Sequence, residues 1–242
     1  MIKTVISWSS GKDSAWMVHV LRQRGDVEIG ALLTTINEPA QRVAMHAVRV
    51  DLLRAQAAAL GLPLWLAPIP SPCPNDVYED VMRGVVARAG AEGFTHMAFA
   101  DLFLADVRRY REEKLAGTGI TPLFPLFQSD DSHTPRLARQ MIAAGLVARI
   151  TCVNPRQLDR GFAGRDFDRT LLDDLPGTVD PCGERGEFHT FAYKGPMFSR
   201  DIPIETGVTL ERDGFVFTDL LLAESNASAA HRDVASESGA GL

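Results

Sequence analysis

The 242-residue sequence has few cysteines and no long apolar run, and both shortages restrict the class of protein. Its three cysteines, Cys73, Cys152 and Cys182, lie far apart without a C-x-x-C pair, so we expect no disulfide framework and a reducing compartment. No apolar stretch approaches the roughly 18 to 20 residues of a membrane span. The N-terminus shows no signal-peptide pattern. We therefore expect a soluble, cytoplasmic protein that acts without a membrane.

Positive charge is also scarce. The chain has 25 Lys and Arg residues against 31 Asp and Glu residues, a net charge of −6, and no Lys/Arg run of the nucleic-acid-binding type. This balance argues against a basic face that binds RNA or DNA. The hydrophobic fraction of 45% is ordinary for a globular protein. The length suits one large domain with a smaller appendage.

Apolar runs alternate with helical periodicity over the first two thirds of the chain, which is typical of βαβ units. Strands are predicted near 4–7, 28–35, 63–68, 96–100 and 148–153, and helices near 13–24, 45–60, 75–92, 104–115 and 134–144. Right-handed crossovers then give an α/β fold with a doubly wound parallel sheet. In such a sheet, ligand-binding groups collect at the carboxyl ends of the strands.

The pattern changes after Pro155, where glycines become frequent and only one short helical stretch, near 167–175, remains. Short β runs follow at 188–193 and 206–222, and Asp213-Gly214 predicts a hairpin turn within the second run. We therefore predict a first domain over 1–154 and a smaller mixed subdomain over 155–223. The Ala/Ser-rich tail, 224–242, has no apolar face and is predicted to be disordered.

Residues Ser9 to Ser14, S-S-G-K-D-S, follow the first apolar run and open the first helical pattern. A strand, a small-residue turn and a helix N-terminus together favour a phosphate site, because backbone N–H groups and the positive end of the helix dipole converge there. The Walker A pattern does not fit, since its first Gly is missing and Asp13 stands in place of the Ser/Thr. The alternative is a simple helix cap formed by Ser9 or Asp13.

A second informative segment, C-G-E-R-G-E-F-H-T-F, covers residues 182–191. Glu184 and Glu187 stand three apart among glycines, so a tight turn could bring both to one side. Paired carboxylates can hold Mg²⁺, orient an amine or act as a base. The alternative is an ordinary hairpin in which the glycines supply positive φ and the glutamates are solvated.

The first segment resembles the pyrophosphate loop, S-G-G-x-D-S, of ATP pyrophosphatases, with Ser10 in place of the first Gly. With G-E-R-G-E-F-H-T-F and G-P-M-F (195–198), it resembles the diphthine–ammonia ligase family. The intervening A-D-L-F-L-A-D-V-R-R-Y-R-E (100–112), P-L-F-P-L (122–126) and I-T-C-V-N-P (150–155) are similar to its prokaryotic members. The likeness extends over about 1–222.

This resemblance implies an adenine nucleotide α-hydrolase-like domain joined to a domain that helps form the acceptor site. Members of the family use Mg²⁺ and ATP to convert a carboxylate into an acyl-adenylate with release of pyrophosphate, and ammonia then displaces AMP to leave an amide. The implied partners are ATP, ammonia and a carboxylate acceptor, either protein-bound or small. The acceptor itself stays open, and a homodimer is consistent with the family.

Site residues follow from the same resemblance and from positions at strand ends. Those that the resemblance implies to grip the triphosphate are Ser9, Ser10, Gly11, Lys12, Asp13 and Ser14. Ser7, Thr34 and Thr35 end the first two predicted strands, so we expect Ser7 to contact the nucleotide and the two threonines to line the adenine or ribose pocket. Those implied to take part in catalysis are Lys12, Asp13, Glu184, Glu187 and His189, with Glu187 or His189 handling the proton. Those expected near the acceptor or ammonia are His46, Asp101, Gly183, Glu184, Glu187 and Thr190.

Asp13 and Asp101 are the candidate Mg²⁺ ligands. Asp101 has the alternative of capping the helix that follows it, and His46 the alternative of a capping or structural role.

Two other functions stay open on the sequence. Some pyrophosphate-loop enzymes transfer sulfur to tRNA through paired cysteines, for which Cys73 and Cys182 are the candidates. The same fold also serves as a nucleotide-binding sensor without turnover. Substituting Lys12 separates a sensor from an enzyme, because only an enzyme has turnover to lose.

Overall fold

A computed structural model describes residues 1–43 and 47–223. The first sheet contains β1 (Ile2–Ser7), β2 (Val27–Asn37), β3 (Arg42–Val43), β4 (Leu64–Ile69), β5 (His96–Ala98) and β6 (Thr121–Leu123). β1 lies between β2 and β5, while β4 pairs with β2 and β6 with β5, all in parallel. Only the two-residue β3 is antiparallel to its neighbour β2 in this sheet of the described chain. The predicted parallel sheet is confirmed.

Helices cover both faces of this sheet, as expected for a doubly wound fold. α1 (Lys12–Gln23) and α2 (Val50–Leu60) lie on one face and α3 (Asn75–Ala91) and α4 (Ala105–Leu115) on the other, while α5 (Thr134–Ala143) and α6 (Arg169–Asp174) follow later in the chain. Gly61 ends α2 in the left-handed region, with φ of 67°, which a glycine adopts without steric cost. The second helix was predicted to begin at residue 45, but in the described chain it begins at Val50. Residues 44–46, including His46, lie outside the described residues.

A second sheet is antiparallel and contains β7 (Val147–Val153), β8 (Phe188–Lys194), β9 (Ile204–Arg212) and β10 (Phe215–Leu222), in the order β8-β7-β10-β9. The fifth predicted strand, 148–153, is therefore not part of the parallel sheet. It is β7, which precedes the domain boundary predicted at 154 and pairs antiparallel with β8. The hairpin turn at Asp213-Gly214 is confirmed by positive φ angles of 55° and 78°.

Two apolar cores hold these layers together. The larger core joins α1 and α2 to the second sheet, with Met17, Leu53 and Phe191 fully buried. The smaller core lies on the other face of the first sheet, beneath α3 and α4, around Met97 and Phe99. The larger core fixes the two sheets against each other and so brings α1 and β8 together. Within the described residues, no helix is long and apolar enough to cross a membrane. The tail predicted to be disordered lies outside them.

Candidate active site

The turn between β1 and α1 is held by the second sheet. Ser10 has a φ of 70°, a conformation in which glycine is the least strained residue, and Gly11 follows in an extended conformation as the N-cap of α1. The carbonyl oxygen of Ser10 accepts hydrogen bonds from the Ala192 N–H at 2.9 Å and from Gln56 Nε2 at 3.0 Å. The Ser10 side chain is fully buried, and its hydroxyl has no hydrogen-bond partner among the described residues.

Side-chain oxygens organise the first amides of α1. Ser9 Oγ lies 2.8 Å from Ser14 Oγ and accepts a hydrogen bond from the Gly11 N–H at 3.4 Å. The Lys12 N–H donates to Thr190 Oγ1 at 3.1 Å. The loop is therefore built jointly by α1 and β8, although their residues are far apart in the sequence.

Lys12 carries a buried positive charge at the centre of the site. Its ammonium donates to Asp13 Oδ2 at 2.8 Å and to the carbonyl oxygen of Cys182, and it lies 5.3 Å and 5.4 Å from the ring centres of Phe167 and Phe188. Burial, the largest single cause, lowers the pKa of Lys12, but the Asp13 carboxylate together with Cys182 and Asp180 outweighs it, and the pKa is raised. Burial also raises the pKa of Asp13, against the attraction of Lys12.

Residues 182–191, here called the Gly-Glu segment, form a compact loop facing Lys12. Both carboxylate oxygens of Glu187 accept backbone hydrogen bonds, from the N–H of Asp180 and of Arg185, each at 2.9 Å. Asp180 in turn accepts from the N–H of Glu184 at 2.9 Å. Gly183 has a φ of 71°, and a Cβ there would lie 2.9 Å from the carbonyl oxygen of Phe188. Glu187 is 2% exposed and does not line the cavity that lies between this segment and the turn at the start of α1. Proton handling by Glu187 therefore does not fit this geometry.

Glu184 and His189 do line the cavity. Glu184 Oε1 accepts a hydrogen bond from the Leu102 N–H at 2.7 Å, yet burial and the nearby Asp13 charge raise the pKa of Glu184 to about 8. Burial, assisted by the Lys12 charge, lowers the pKa of His189 to about 4. At neutral pH, His189 is therefore uncharged, and Glu184 titrates in a range useful for a base.

Asp101 is paired with a residue that the sequence analysis missed. Its two carboxylate oxygens accept from Arg111 Nε at 2.6 Å and Arg111 Nη2 at 3.2 Å. The N-cap of α4 is Leu104, so Asp101 does not cap that helix. Among the described residues, no group of three or more His, Cys, Asp or Glu side chains has the arrangement of a metal site.

Two adjoining cavities surround these residues. The first, here called the loop cavity, measures about 290 Å³, and its lining includes Ser7, Ser9, Gly11, Lys12, Asp13, Ser14, Asp101, Arg111, Gly183, Glu184, His189 and Thr190. The second, the side cavity, measures about 400 Å³ and is lined by Trp8, Thr34, Thr35, Val43 and Ile69, among others. Both include Ser7, Ser9, Phe99 and Arg111 in their walls. The structure thus brings most of the predicted residues together. It leaves Ser10 and Glu187 outside both walls.

Gln56 is the other residue that the sequence analysis missed. It is fully buried on α2, where its Oε1 accepts from Trp8 Nε1 at 3.0 Å and its Nε2 donates to the carbonyl oxygens of Ser10 and Ala192. One amide therefore joins α2, the loop and β8. The available signal was a glutamine within the small apolar run A-Q-A-A-A-L (55–60) that ends α2.

The cysteines do not form a pair at this site. Cys182 lines the loop cavity, but it is buried, and that burial raises the pKa of its thiol well above its usual value. Cys73 is half-buried and lines neither cavity. A thiol that stays protonated is a poor nucleophile, so this geometry does not favour sulfur transfer through Cys73 and Cys182.

Comparison with known proteins gives two family matches. Residues 2–98 match the family model described as the diphthamide synthase N-terminal domain, and residues 133–218 match that of the diphthamide synthase C-terminal domain. No curated protein matches the chain. Among solved structures, the chain is similar to the U34-tRNA thiolase NcsA from Methanococcus maripaludis, solved with its 4Fe-4S cluster. The identity is 16% and the TM-score 0.37, over 59% of this chain and 57% of that one. The chain thus spans less than two thirds of that structure's length.

Proposed function

This chain belongs to the diphthamide synthase family of ATP-dependent ligases, and from that premise we propose that it adenylates a carboxylate and amidates it with ammonia. One observation carries the proposal. The pyrophosphate-type loop (9–14) and the Gly-Glu segment (182–191) border the same loop cavity, and the Lys12 ammonium of the first donates to the Cys182 carbonyl oxygen of the second. Activation and amide formation need both halves at one place, since the adenylate made by one must meet the nucleophile held by the other.

For the nucleotide, we assign the phosphates to the loop cavity and the adenosine to the side cavity. The N-terminus of α1 and the Lys12 ammonium supply positive potential for the phosphates. Attack at the α phosphorus makes pyrophosphate the leaving group, so charge on the β and γ oxygens must be stabilised. Thr34 and Thr35 line the side cavity, where Thr34 Oγ1 donates to the carbonyl oxygen of Trp8 at 2.7 Å. They are our candidates for the wall of the adenosine pocket.

The free carboxylate oxygen of Asp13 fits a bound Mg²⁺ ion. Asp13 Oδ1 is buried and has no hydrogen-bond partner among the described residues, and a carboxylate oxygen is the ligand that Mg²⁺ prefers. Asp13 and, after release from Arg111, Asp101 would hold the ion. When bound, Mg²⁺ would neutralise phosphate charge. Lys12 meanwhile keeps Asp13 oriented through its 2.8 Å contact.

For the nucleophile, we assign proton removal to Glu184 in place of Glu187. An ammonium ion must lose a proton before it can attack, and a carboxylate with a pKa of about 8 is well matched to that task near neutral pH. His189 stays neutral in the same wall and can accept or donate a hydrogen bond without adding charge. The carboxylate acceptor would enter between these groups and Lys12.

The experiment follows the fate of ATP. Purified protein is incubated with Mg²⁺, ATP, ammonia and a panel of carboxylic acids, and the nucleotide products are separated by chromatography. AMP and pyrophosphate are expected, whereas ADP and phosphate would overturn the proposal. Lys12→Met should lose this turnover. Its control is Lys194→Met, because Lys194 forms an exposed ion pair with Asp201 away from both cavities. A sensor would bind ATP and release neither product.

A further inference from the structure

The first sheet has a gap in one of its helical layers. α3 packs on β4 and α4 on β6, so the central strands β1 and β5 lie between the two helices on this face. Both helices are poorly buried for their length. Of the 17 residues of α3 only Ala89 is buried, and of the 11 residues of α4 only Leu115. Between them lies a third cavity of about 300 Å³, here called the helix gap.

The wall of the helix gap is mainly apolar. Met82 and Val86 come from α3, Met97 from β5, Phe99 from the segment after β5, and Leu115 from α4. An ion pair between Glu79 and Lys114, at 2.6 Å, links the two helices beside these residues. A concave apolar site with a few charged groups is the usual form of a small-molecule pocket.

The helix gap adjoins the cavities of the active site. Phe99 and Arg111 belong to the walls of all three cavities, and Tyr78 and Met82 to those of the gap and the side cavity. The Arg111 guanidinium lies 4.4 Å from the centre of the Phe99 ring while it holds Asp101. Arg111 is thus a cation that faces the apolar gap and the loop cavity together.

We propose that the helix gap binds the apolar body of the acceptor, and that this acceptor is a small carboxylic acid whose carboxylate is received by Arg111. A carboxylate that leaves water requires a fixed cation, and a guanidinium provides one with two parallel donors. Asp101 occupies those donors in the structure and yields them to the acceptor. The inference rests on the proposed function, because the carboxylate at Arg111 borders the cavity assigned to the phosphates.

The test measures binding without turnover. The probes are 3-phenylpropanoate and its neutral amide, 3-phenylpropanamide, followed by calorimetry in the absence of ATP. Val86→Trp fills the gap from α3, and Ala87→Trp is its control, because Ala87 is the next residue on the same helix and points to solvent. We expect the acid to bind the wild type and Ala87→Trp alike, and Val86→Trp at least tenfold more weakly. Equal binding to both tryptophan variants would refute the proposal, as would no binding to the wild type.

The charge is tested in the same assay. Arg111→Gln should reduce the preference for the acid over the amide at least fivefold, while Arg83→Gln should not, because Arg83 lines the gap but pairs with Asp80. An unchanged preference in Arg111→Gln would remove Arg111 from the proposal. Failure of the proposed function looks different. In that case the acids bind in the gap, but the wild type forms no AMP with any of them.

Discussion

The backbone N–H of Lys12 donates to the hydroxyl of Thr190 at 3.1 Å, although 178 residues separate the two along the chain. This bond joins the first turn of α1 to a strand of the second sheet. A helix N-terminus normally leaves such amides to water or a ligand. Here the second sheet supplies one partner through β8, so it fixes the shape of the loop that we assign to the phosphates.

Thr190→Val keeps the shape of the side chain but removes this acceptor. The hydrogen bond that holds the first turn of α1 against β8 is worth about 1–3 kcal/mol, and without it the loop is less fixed in the shape that we assign to phosphate binding. We therefore expect an ATP analogue that cannot be hydrolysed to bind about tenfold more weakly. Calorimetric titration measures the dissociation constant. Thr218→Val is the matched control, since Thr218 is similarly buried and its hydroxyl is paired with that of Thr209 within the second sheet. Equal affinity of the two variants would contradict the prediction.

The raised pKa of Glu184 predicts the pH dependence of amide formation. The carboxyl group is mostly protonated at pH 7 and becomes a base as the pH rises through about 8, so the rate should increase over that range. The profile is measured below about pH 8.5 at constant total ammonia, because most of the ammonia stays protonated there and its own ionisation does not shape the profile.

Glu184→Gln should lower the rate about 100-fold or more and flatten this profile. Glu113→Gln serves as the control, since Glu113 is exposed on α4 and lines none of the three cavities. A profile in Glu184→Gln with the same inflection as the wild type would assign the titration to another group.

Gln56→Leu tests the buried amide that joins α2, the loop and β8. The substitution removes the partners of Trp8 Nε1 and of two carbonyl oxygens, so we expect a loss of about 2–4 kcal/mol in the free energy of unfolding. Urea denaturation followed by fluorescence measures this loss. Gln140→Leu, on the exposed face of α5, should change stability by less than about 0.5 kcal/mol. Similar midpoints for the two variants would show that the amide is dispensable.

Asp219 should make the protein sensitive to acid. The carboxylate accepts hydrogen bonds from Arg42 at 2.7 Å and Arg49 at 2.6 Å, and despite the opposing effect of burial these bonds lower the pKa of Asp219 to about 2. Because the pKa is lower in the folded state than its ordinary value of 3.8, the stabilisation is complete above pH 3.8 and is lost as pH falls through about 2.

Asp219→Asn should lower the melting temperature by about 2–4 °C at pH 7, as expected for a loss near 1 kcal/mol in a protein of this size. The difference from the wild type should shrink as the pH falls from 4 to 2. Differential scanning calorimetry at several pH values measures both effects. Asp201→Asn, which breaks the exposed pair with Lys194, should leave the melting temperature within 1 °C of the wild type. A difference in melting temperature between the wild type and Asp219→Asn that does not change with pH would contradict this account.

Local sequence patterns predicted β1, β2, β4 and β5 of the first sheet because the signals of these strands are local, but they did not predict the short strands β3 and β6. β1, the small-residue turn and α1 each carry a recognisable pattern, and Gly61 marks the end of α2. The strand at 148–153 was assigned to the wrong sheet because a short buried run looks the same in parallel and antiparallel surroundings. Only the pairing of this strand, β7, with β8 shows that its surroundings are antiparallel, and β8 begins 35 residues after β7 ends.

Sequence patterns did not predict which glutamate of the Gly-Glu segment faces the loop cavity. Glu184 and Glu187 have the same chemistry, and sequence spacing gives no reason to prefer one. The choice depends on Asp180, whose amide occupies Glu187 and whose carboxylate holds the Glu184 N–H. Arg111 and Gln56 likewise acquire their roles only from partners brought close by the fold.

The separation of Lys12 and Thr190 in the sequence also delays the completion of the loop while the chain is being synthesised. At about 5–20 residues per second, a ribosome needs roughly 10–35 s to add the 178 residues between them. Until then the first turn of α1 lacks the hydroxyl that shapes it, and the Lys12 ammonium lacks the carbonyl oxygen of Cys182. The nascent chain therefore emerges with an unfinished loop, and the shape that we assign to phosphate binding is complete only when β8 has been made and docked.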